Sequence, residues 1–323
     1  MKEFEIIVNF FQQRSYQRHD VVIGIGDDCA VTSVPAGQQL ATTTDTLLEG
    51  VHFPVDTLAR AVAHKAVAVN LSDLAAMGAE PAWISLSLSI PTARIDWINE
   101  FSYALKELTE YYSVQLIGGD TVQGPLSITI TAQGFLPEGQ ALRRSQAKPG
   151  DWLYVTGTVG DAALGLDVAQ QKINVSLRHK KYLLDRLNYP TPQILAGNNL
   201  RRIAHSCIDI SDGVVSDLKH ILYASQCGAA LNLEALPLSL AMRESVSEEQ
   251  AIRYALTGGD DYELLFSVPE EQKNKMDTML ANCNVSATCI GQLNGIAEKL
   301  ELRLNGEPYD LSGSGYQHFE QQG

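Results

Sequence analysis

The chain has 323 residues and a formal charge of −14, from 24 Lys plus Arg against 38 Asp plus Glu; 45% hydrophobic residues exclude extensive disorder, and the length allows two ordinary domains. The acidic excess excludes a nucleic-acid backbone as main partner, since phosphate neutralisation needs clustered Lys and Arg, but it leaves open small anionic substrates if a positive group stands between. No stretch approaches the roughly 20 apolar residues of a membrane span, Met1–Glu5 lacks a signal-peptide pattern, and five cysteines without a Cys-x-x-Cys indicate neither a disulfide framework nor a zinc site, so a reduced, cytoplasmic protein is expected.

In chain order, Phe4, Ile7, Val8, Phe10 and Phe11 recur at helical spacing and predict a helix over 4–13. Val21–Ile23 and Leu40–Thr44 read as strands that each lead to an Asp. The Ala-rich run from Thr57 to Met77 carries neither Pro nor Gly and stops at Gly78, which predicts one long helix. Trp83–Ile90 alternates in the strand manner, 95–112 is helical, Val114–Ile117 is extended and Leu126–Phe135 is a Thr-rich strand. Polar Ser145–Asp151, with its Pro-Gly, is the expected domain boundary. Beyond it come a strand at Trp152–Thr156, a turn at Gly157–Asp161 into a helix, a helix ending near His205, a strand at Cys207–Ile210 and a helix from Gly213 to about Ser225. Strands at 229–233, 262–268, 286–293 and 299–303 and a helix at 270–282 complete the chain. Irregular alternation in both halves predicts two α+β or α/β domains, 1–147 and 148–323, rather than a bundle or a sandwich.

Several familiar sites are absent. There is no Walker-type phosphate loop, no Gly-x-Ser-x-Gly elbow and no protein-kinase signature, and Gly24-Ile25-Gly26 runs into Asp27-Asp28-Cys29 where a dinucleotide loop needs its third glycine. What recurs is aspartate at the end of an apolar strand beside glycine or a hydroxyl residue. The set is Gly26-Asp27-Asp28, Thr43-Thr44-Asp45-Thr46, Ser72-Asp73, Gly118-Gly119-Asp120-Thr121, Asp209-Ile210-Ser211-Asp212-Gly213 and Gly258-Gly259-Asp260-Asp261. Any one of them is adequately explained as a turn or helix cap. Six together predict carboxylates that converge where strands share a sheet and that need a divalent cation against their mutual repulsion. Magnesium suits this set because it takes carboxylate and hydroxyl oxygens, keeps waters and bridges to substrate phosphates. Glycines beside the acids let backbone N–H groups approach a phosphate closely. Arg144, just before the boundary, is either a guanidinium partner for a nucleotide phosphate or a surface arginine; neighbouring Arg143 is expected to be solvated.

Together these motifs resemble the thiamine-monophosphate kinases of the aminoimidazole-ribonucleotide-synthetase-like superfamily. The resemblance is carried by Gly24–Ala30, Thr43–Leu47, Val51-His52-Phe53, Lys65–Gly78, Leu116–Thr121, Val155–Thr158, Asp209–Gly213, Gly258–Leu264 and Gly315–Phe319, and so runs along nearly the whole chain. The helix ending in Ser-Asp-Leu-Ala-Ala-Met-Gly is its most specific part.

The resemblance implies a two-domain PurM-like fold and ATP-dependent phosphorylation of thiamine monophosphate (TMP) to thiamine diphosphate with several Mg²⁺ ions. It also implies a homodimer built on the N-terminal halves. The N-terminal domain would bind ATP and metal, and the C-terminal domain would complete the active site. Carried over by position, Asp28, Thr43, Thr44, Asp45, Asp73, Asp120, Asp209 and Asp212 match metal positions, with Asp45, Asp73 and Asp120 at the chemistry. Gly119, Asp120, Arg144 and Ser211 match nucleotide contacts, and His52, Asp260 and Tyr316 match substrate contacts. The family often has Gly-Gly-Glu-Asp where this chain has Gly-Gly-Asp260-Asp261, so either acid is a candidate for the thiamine ring. His52 could otherwise be a packed loop residue, and Tyr316 either stacks on a cationic ring or covers a sheet edge. The alternatives are another ATP-using member of the superfamily, such as the purine-synthesis enzyme, and a non-enzymatic divalent-cation binding protein.

Overall fold

The computed structural model describes residues 3–12 and 16–311, apart from the side chains of residues 3 and 4. The packing divides the chain into two units, Met1–Leu74 with Ala79–Gly139 and Ala75–Gly78 with Gln140–Gly323.

The first unit opens with α1 (Glu3–Ile6), which continues as a π-helical segment, Ile7–Gln12, in place of a uniform α-helix over 4–13. The Gln12 side-chain amide donates to the Ile25 carbonyl at 2.9 Å and ties this segment to the Gly24–Gly26 loop. A short antiparallel pair, β1 (Val21–Ile23) with β2 (Val31–Thr32), follows. The main sheet holds β3 (Gln38–Leu48), β4 (Glu80–Ile90), β5 (Gln115–Gln123) and β6 (Ser127–Pro137) in the order β3-β6-β4-β5; only β4 and β5 run parallel. Helix α2 (Ala59–Ala76) is buried along almost its whole length, with Ala, Val and Leu side chains distributed around it rather than along one stripe. Helix α3 (Ile95–Tyr111) instead buries one stripe, Ile98, Phe101, Leu105 and Leu108, at helical spacing.

Several strands exceed their predicted limits, and in two of them, β3 and β5, the change matters for the site. Strand β3 runs on through Asp45 to Leu48 because each of its residues registers with one on β6. Strand β5 runs on through Gly118-Gly119-Asp120-Thr121, a sequence that reads as a turn. Gly119 makes that possible. Its φ is +147°, and an added Cβ would stand 1.8 Å from the Leu86 carbonyl oxygen, so no other residue lets β5 lie this close to β4. Asp45 and Asp120 therefore sit inside strands, not at their ends.

The second unit is built on a seven-stranded mixed sheet. Its strands are β7 (Trp152–Thr156), β8 (Ser206–Asp209), β9 (Gly228–Asn232), β10 (Leu264–Val268), β11 (Ala287–Asn294), β12 (Leu300–Leu304) and β13 (Glu307–Pro308), ordered β13-β12-β9-β11-β7-β10-β8 with β9 and β12 parallel. Its helices are α4 (Asp161–Ala169), α5 (Leu177–Asn188), α6 (Ile194–Leu200), α7 (Val214–Ser225), α8 (Leu240–Ser245), α9 (Glu248–Thr257) and α10 (Lys273–Ala281). The helix expected to end near His205 stops at Leu200, and the one expected over 270–282 begins as a 3-10 turn at Glu270–Gln272. Leu153, Val155, Ile208, Ile210, Leu218, Leu231, Leu265 and Leu293 form its core. Mixed α/β structure in both parts is the class that the alternating pattern predicts.

Candidate active site

In β3, residues alternate between two faces. Thr43, Asp45 and Leu47 turn toward α2, while Thr44 and Thr46 are exposed and share hydrogen bonds of 2.8 Å with Thr131 and Thr129. Helix α2 presents Asp73 to the first group. The Thr43 hydroxyl donates to Asp73 Oδ2, and Asp73 stands close enough to Asp45 to repel its charge. Burial, then that repulsion, then a hydrogen bond with Asp73 push the Asp45 carboxyl up to about 6. Two carboxylates and a hydroxyl in one place are a hard-oxygen donor set of the kind that holds magnesium. Thr44 lies on the opposite face and does not join them.

Two buried polar residues of α2 fix this arrangement. Asn70 accepts the Asp45 backbone N–H at 3.1 Å and donates to the Ala66 carbonyl. Lys65, 2% exposed, donates from Nζ to the His52 carbonyl at 3.1 Å and so anchors the loop after β3. The His52 ring accepts the Leu48 N–H at Nδ1, which leaves the proton of a neutral ring on Nε2. Neither Lys65 nor Asn70 was singled out from the sequence. Their signal is a polar residue set within the Ala- and Val-rich middle of the helix.

At the other edge of the sheet a cavity of about 720 Å³ is lined by Gly24–Ala30, Gly118–Thr121 and residues of the π-helical segment. Asp28 and Asp120 are here, both exposed, and the Asp27 carboxylate accepts the Asp28 N–H at 2.8 Å. Asp45, Ile130, Leu86 and Gly119 make one row across the four strands. Three strand spacings therefore separate Asp45 from the Gly119-Asp120 pair, roughly 14 Å. Asp120 registers with Ser87, and through it with Thr129 and Thr46, on the hydroxyl-bearing face. Asp120 and the Asp45–Asp73 pair are thus at opposite edges of one sheet. Within the first unit these acids do not converge on one point, and among the described residues no three His, Cys, Asp or Glu side chains could hold one ion together.

In the second unit, Asp209 ends β8, buried, and is followed by a loop carrying Ser211 and Asp212. The N–H groups of both Ser211 and Asp212 donate to Asp217 Oδ2 at 3.1 Å, so a carboxylate on the first turn of α7 shapes the loop. Burial pushes Asp217 up to about 7, opposed by those N–H groups and by the nearby positive charge of Arg144. Arg144 opens an exposed turn whose backbone is clamped by Ser225, with the hydroxyl donating to the Arg144 carbonyl at 2.6 Å and accepting the Ala147 N–H at 3.1 Å.

The loop 258–263 packs against the same segment. A Cβ on Gly259 would meet the Ser211 carbonyl oxygen at 2.2 Å, the Asp260 N–H donates to that carbonyl and the Tyr262 N–H donates to the Ile210 carbonyl. Asp260 is half-buried at the loop's tip with φ +69°. Asp261 is 1% exposed and faces inward, accepting the N–H groups of Gly160 and Ala162 at the start of α4. Of the two acids, Asp261 is buried against α4 and Asp260 is the more exposed. Tyr316 lies outside the described residues.

Two family models match the chain, "AIR synthase related protein, N-terminal domain" over residues 26–136 and its C-terminal domain over 148–299. The thiamine-monophosphate kinase of Escherichia coli strain K12 is 50% identical over 318 residues, 98% of each chain. The crystal structure of thiamine-monophosphate kinase from Stenotrophomonas maltophilia K279a superposes with a TM-score of 0.86 at 42% identity, covering 94% of this chain and 97% of that one. A structure described as AaThiL complexed with AMPPCP and TMP gives a TM-score of 0.77 at 30% identity, covering 91% and 92%. The chain belongs to the AIR-synthase-related family and, within it, to the thiamine-monophosphate kinases.

Proposed function

We propose that this chain transfers the γ-phosphoryl group of ATP directly to the phosphate of TMP, giving thiamine diphosphate and ADP. A phosphate oxygen of TMP bonds to the γ-phosphorus as the bond to the ADP oxygen breaks. That oxygen is already largely ionised, its second pKa being about 6, so the site needs no strong general base. The observation that carries the reading is the Asp45–Asp73–Thr43 group, a hard-oxygen donor set in which burial and then the neighbouring Asp73 charge push the Asp45 carboxyl up to about 6. Magnesium, when bound there, would neutralise and align the phosphates. Asp28, Asp120, Asp209 and Asp212 would be the further metal positions, and Thr44 would reach a metal only from the face of β3 opposite Asp45. Gly119, Asp120, Arg144 and Ser211 would hold the nucleotide, and His52, Asp260 and Tyr316 the TMP.

The reading includes a homodimer built on the first unit. Strand β3 is an edge strand of 11 residues, and an edge of that length invites pairing. One sheet separates Asp45–Asp73 from Asp120 by its width, and a second copy would let one edge meet the other. All five cysteines are unpaired, which fits a reducing, cytoplasmic setting, and among the described residues no helix is long and apolar enough to cross a membrane.

The test is chromatographic detection of thiamine diphosphate from TMP, ATP and Mg²⁺. Chelating the metal abolishes product. Asp73→Asn is expected to lower kcat/KM by roughly a hundredfold or more with unchanged circular dichroism. Full activity in that variant would remove the metal assignment, and label trapped on the protein from γ-labelled ATP would contradict direct transfer.

A further inference from the structure

We infer that Tyr262 is a positioning residue for TMP, acting through Asp260; this rests on Asp260 being a substrate contact, as proposed above. The Tyr262 hydroxyl donates to Asp260 Oδ1 at 3.0 Å. That bond fixes the carboxylate's rotation and so the direction in which it can accept from an N–H group of a ligand, such as the amino group on the pyrimidine ring of TMP. The tyrosine is itself only 8% exposed, so the hydroxyl is held by a packed ring and not by a swinging side chain.

The backbone around the pair is built for the same end. Asp260 and Tyr262 both have positive φ, +69° and +52°, which side-chain-bearing residues seldom adopt. Between them, Asp261 is turned inward and fastened to the N–H groups of Gly160 and Ala162. After them, Glu263 accepts from Thr156, Arg186 and Gln193 at 2.7, 3.0 and 3.0 Å. A buried acid on each side of Tyr262 thus locks the loop in a conformation that folds Tyr262 back onto Asp260. Without such anchors, two left-handed residues in three would relax, and the hydroxyl would lose the carboxylate.

The test is steady-state kinetics on Tyr262→Phe, which removes the hydroxyl and keeps the ring. Loss of one hydrogen bond that orients a binding group is expected to raise KM for TMP roughly three- to tenfold, with kcat and KM for ATP changed less than about twofold. In an Asp260→Ala background the same substitution is expected to add nothing, because there is no carboxylate left to orient. If Asp260→Ala raises KM for TMP but Tyr262→Phe does not, the positioning role is wrong and the substrate contact stands. If Asp260→Ala leaves KM for TMP unchanged, the substrate contact itself is wrong and the positioning role falls with it. Additive effects in the double variant, or an equal rise in both KM values for Tyr262→Phe, would likewise overturn it.

Discussion

At Asp261 the carboxyl lies beneath the first turn of α4, wholly buried, and burial pushes it up to about 8 despite the nearby Arg186 charge and the N–H groups it accepts. The sign of the consequence follows from the two states. In the unfolded chain this group titrates near 3.8, so between about 4 and 8 the folded protein holds a proton that the unfolded one has lost. The contribution to stability is complete below that window and falls as pH rises through it. Asp261→Asn keeps an acceptor for Gly160 but carries no proton to lose. The melting temperature of the variant minus that of the parent should therefore grow steadily between about pH 5 and about pH 8; a flat difference would mean that the buried carboxyl is ionised throughout. The contrast with Asp260 could not be seen in the sequence. Adjacent acids after two glycines look equivalent, and only the left-handed backbone at 260 and the start of α4 turn one outward and the other in. The opposite faces of Thr44 and Asp45, by comparison, follow from strand alternation alone, once β3 is known to continue past Thr44.

Among the elements, β5 shows most clearly why part of the site was hidden. Gly-Gly-Asp has the composition of a turn, and nothing local extends the strand. Extension comes from a neighbour, the Leu86 carbonyl on β4, which comes so close that only glycine fits at 119. Two substitutions side by side test this. At Gly118 an added Cβ has no atom within 4 Å, whereas at Gly119 it meets backbone at 1.8 Å with φ +147°. Gly118→Ala should change stability by less than about 0.5 kcal/mol, and Gly119→Ala should cost about 3 kcal/mol or more, lowering the melting temperature by several degrees. Equal melting temperatures would show that β5 is not held against β4 at this point. Elements with strong local signals were easier. The long helix α2 was legible because an Ala-rich run without Pro or Gly ended at a glycine. Helix α9 was not anticipated, although the capping box of Ser247 with Gln250 marks its start in the sequence.

For the whole molecule, the proposed site has acids at two edges of one sheet serving one phosphoryl transfer. Within a protomer, Asp45 and Asp73 lie at the β3 edge and Asp120 at the β5 edge, roughly 14 Å across, which is too far for one ion to touch both. Asp120 also registers with the hydroxyl face, not the α2 face. A two-fold dimer resolves this if the β3 edge of each copy completes the β5 edge of its partner, making two identical shared sites. The mass in solution is then expected near twice the chain's 35.2 kDa by light scattering. Sharing gives a stronger signature than mass. Asp73→Asn and Asp120→Asn should each be inactive alone. After the two are mixed and allowed to exchange subunits, half of the dimers are mixed, and in each mixed dimer one site carries both substitutions while the other carries neither. Activity should return to about a quarter of the parent's, as random pairing in a symmetric dimer requires. If each protomer held a complete site, every site in the mixture would carry one substitution and no activity would return. The acidic excess that seemed to bar a polyphosphate would then be divided between two edges, with the cation and the nucleotide binding where the edges of two chains come together.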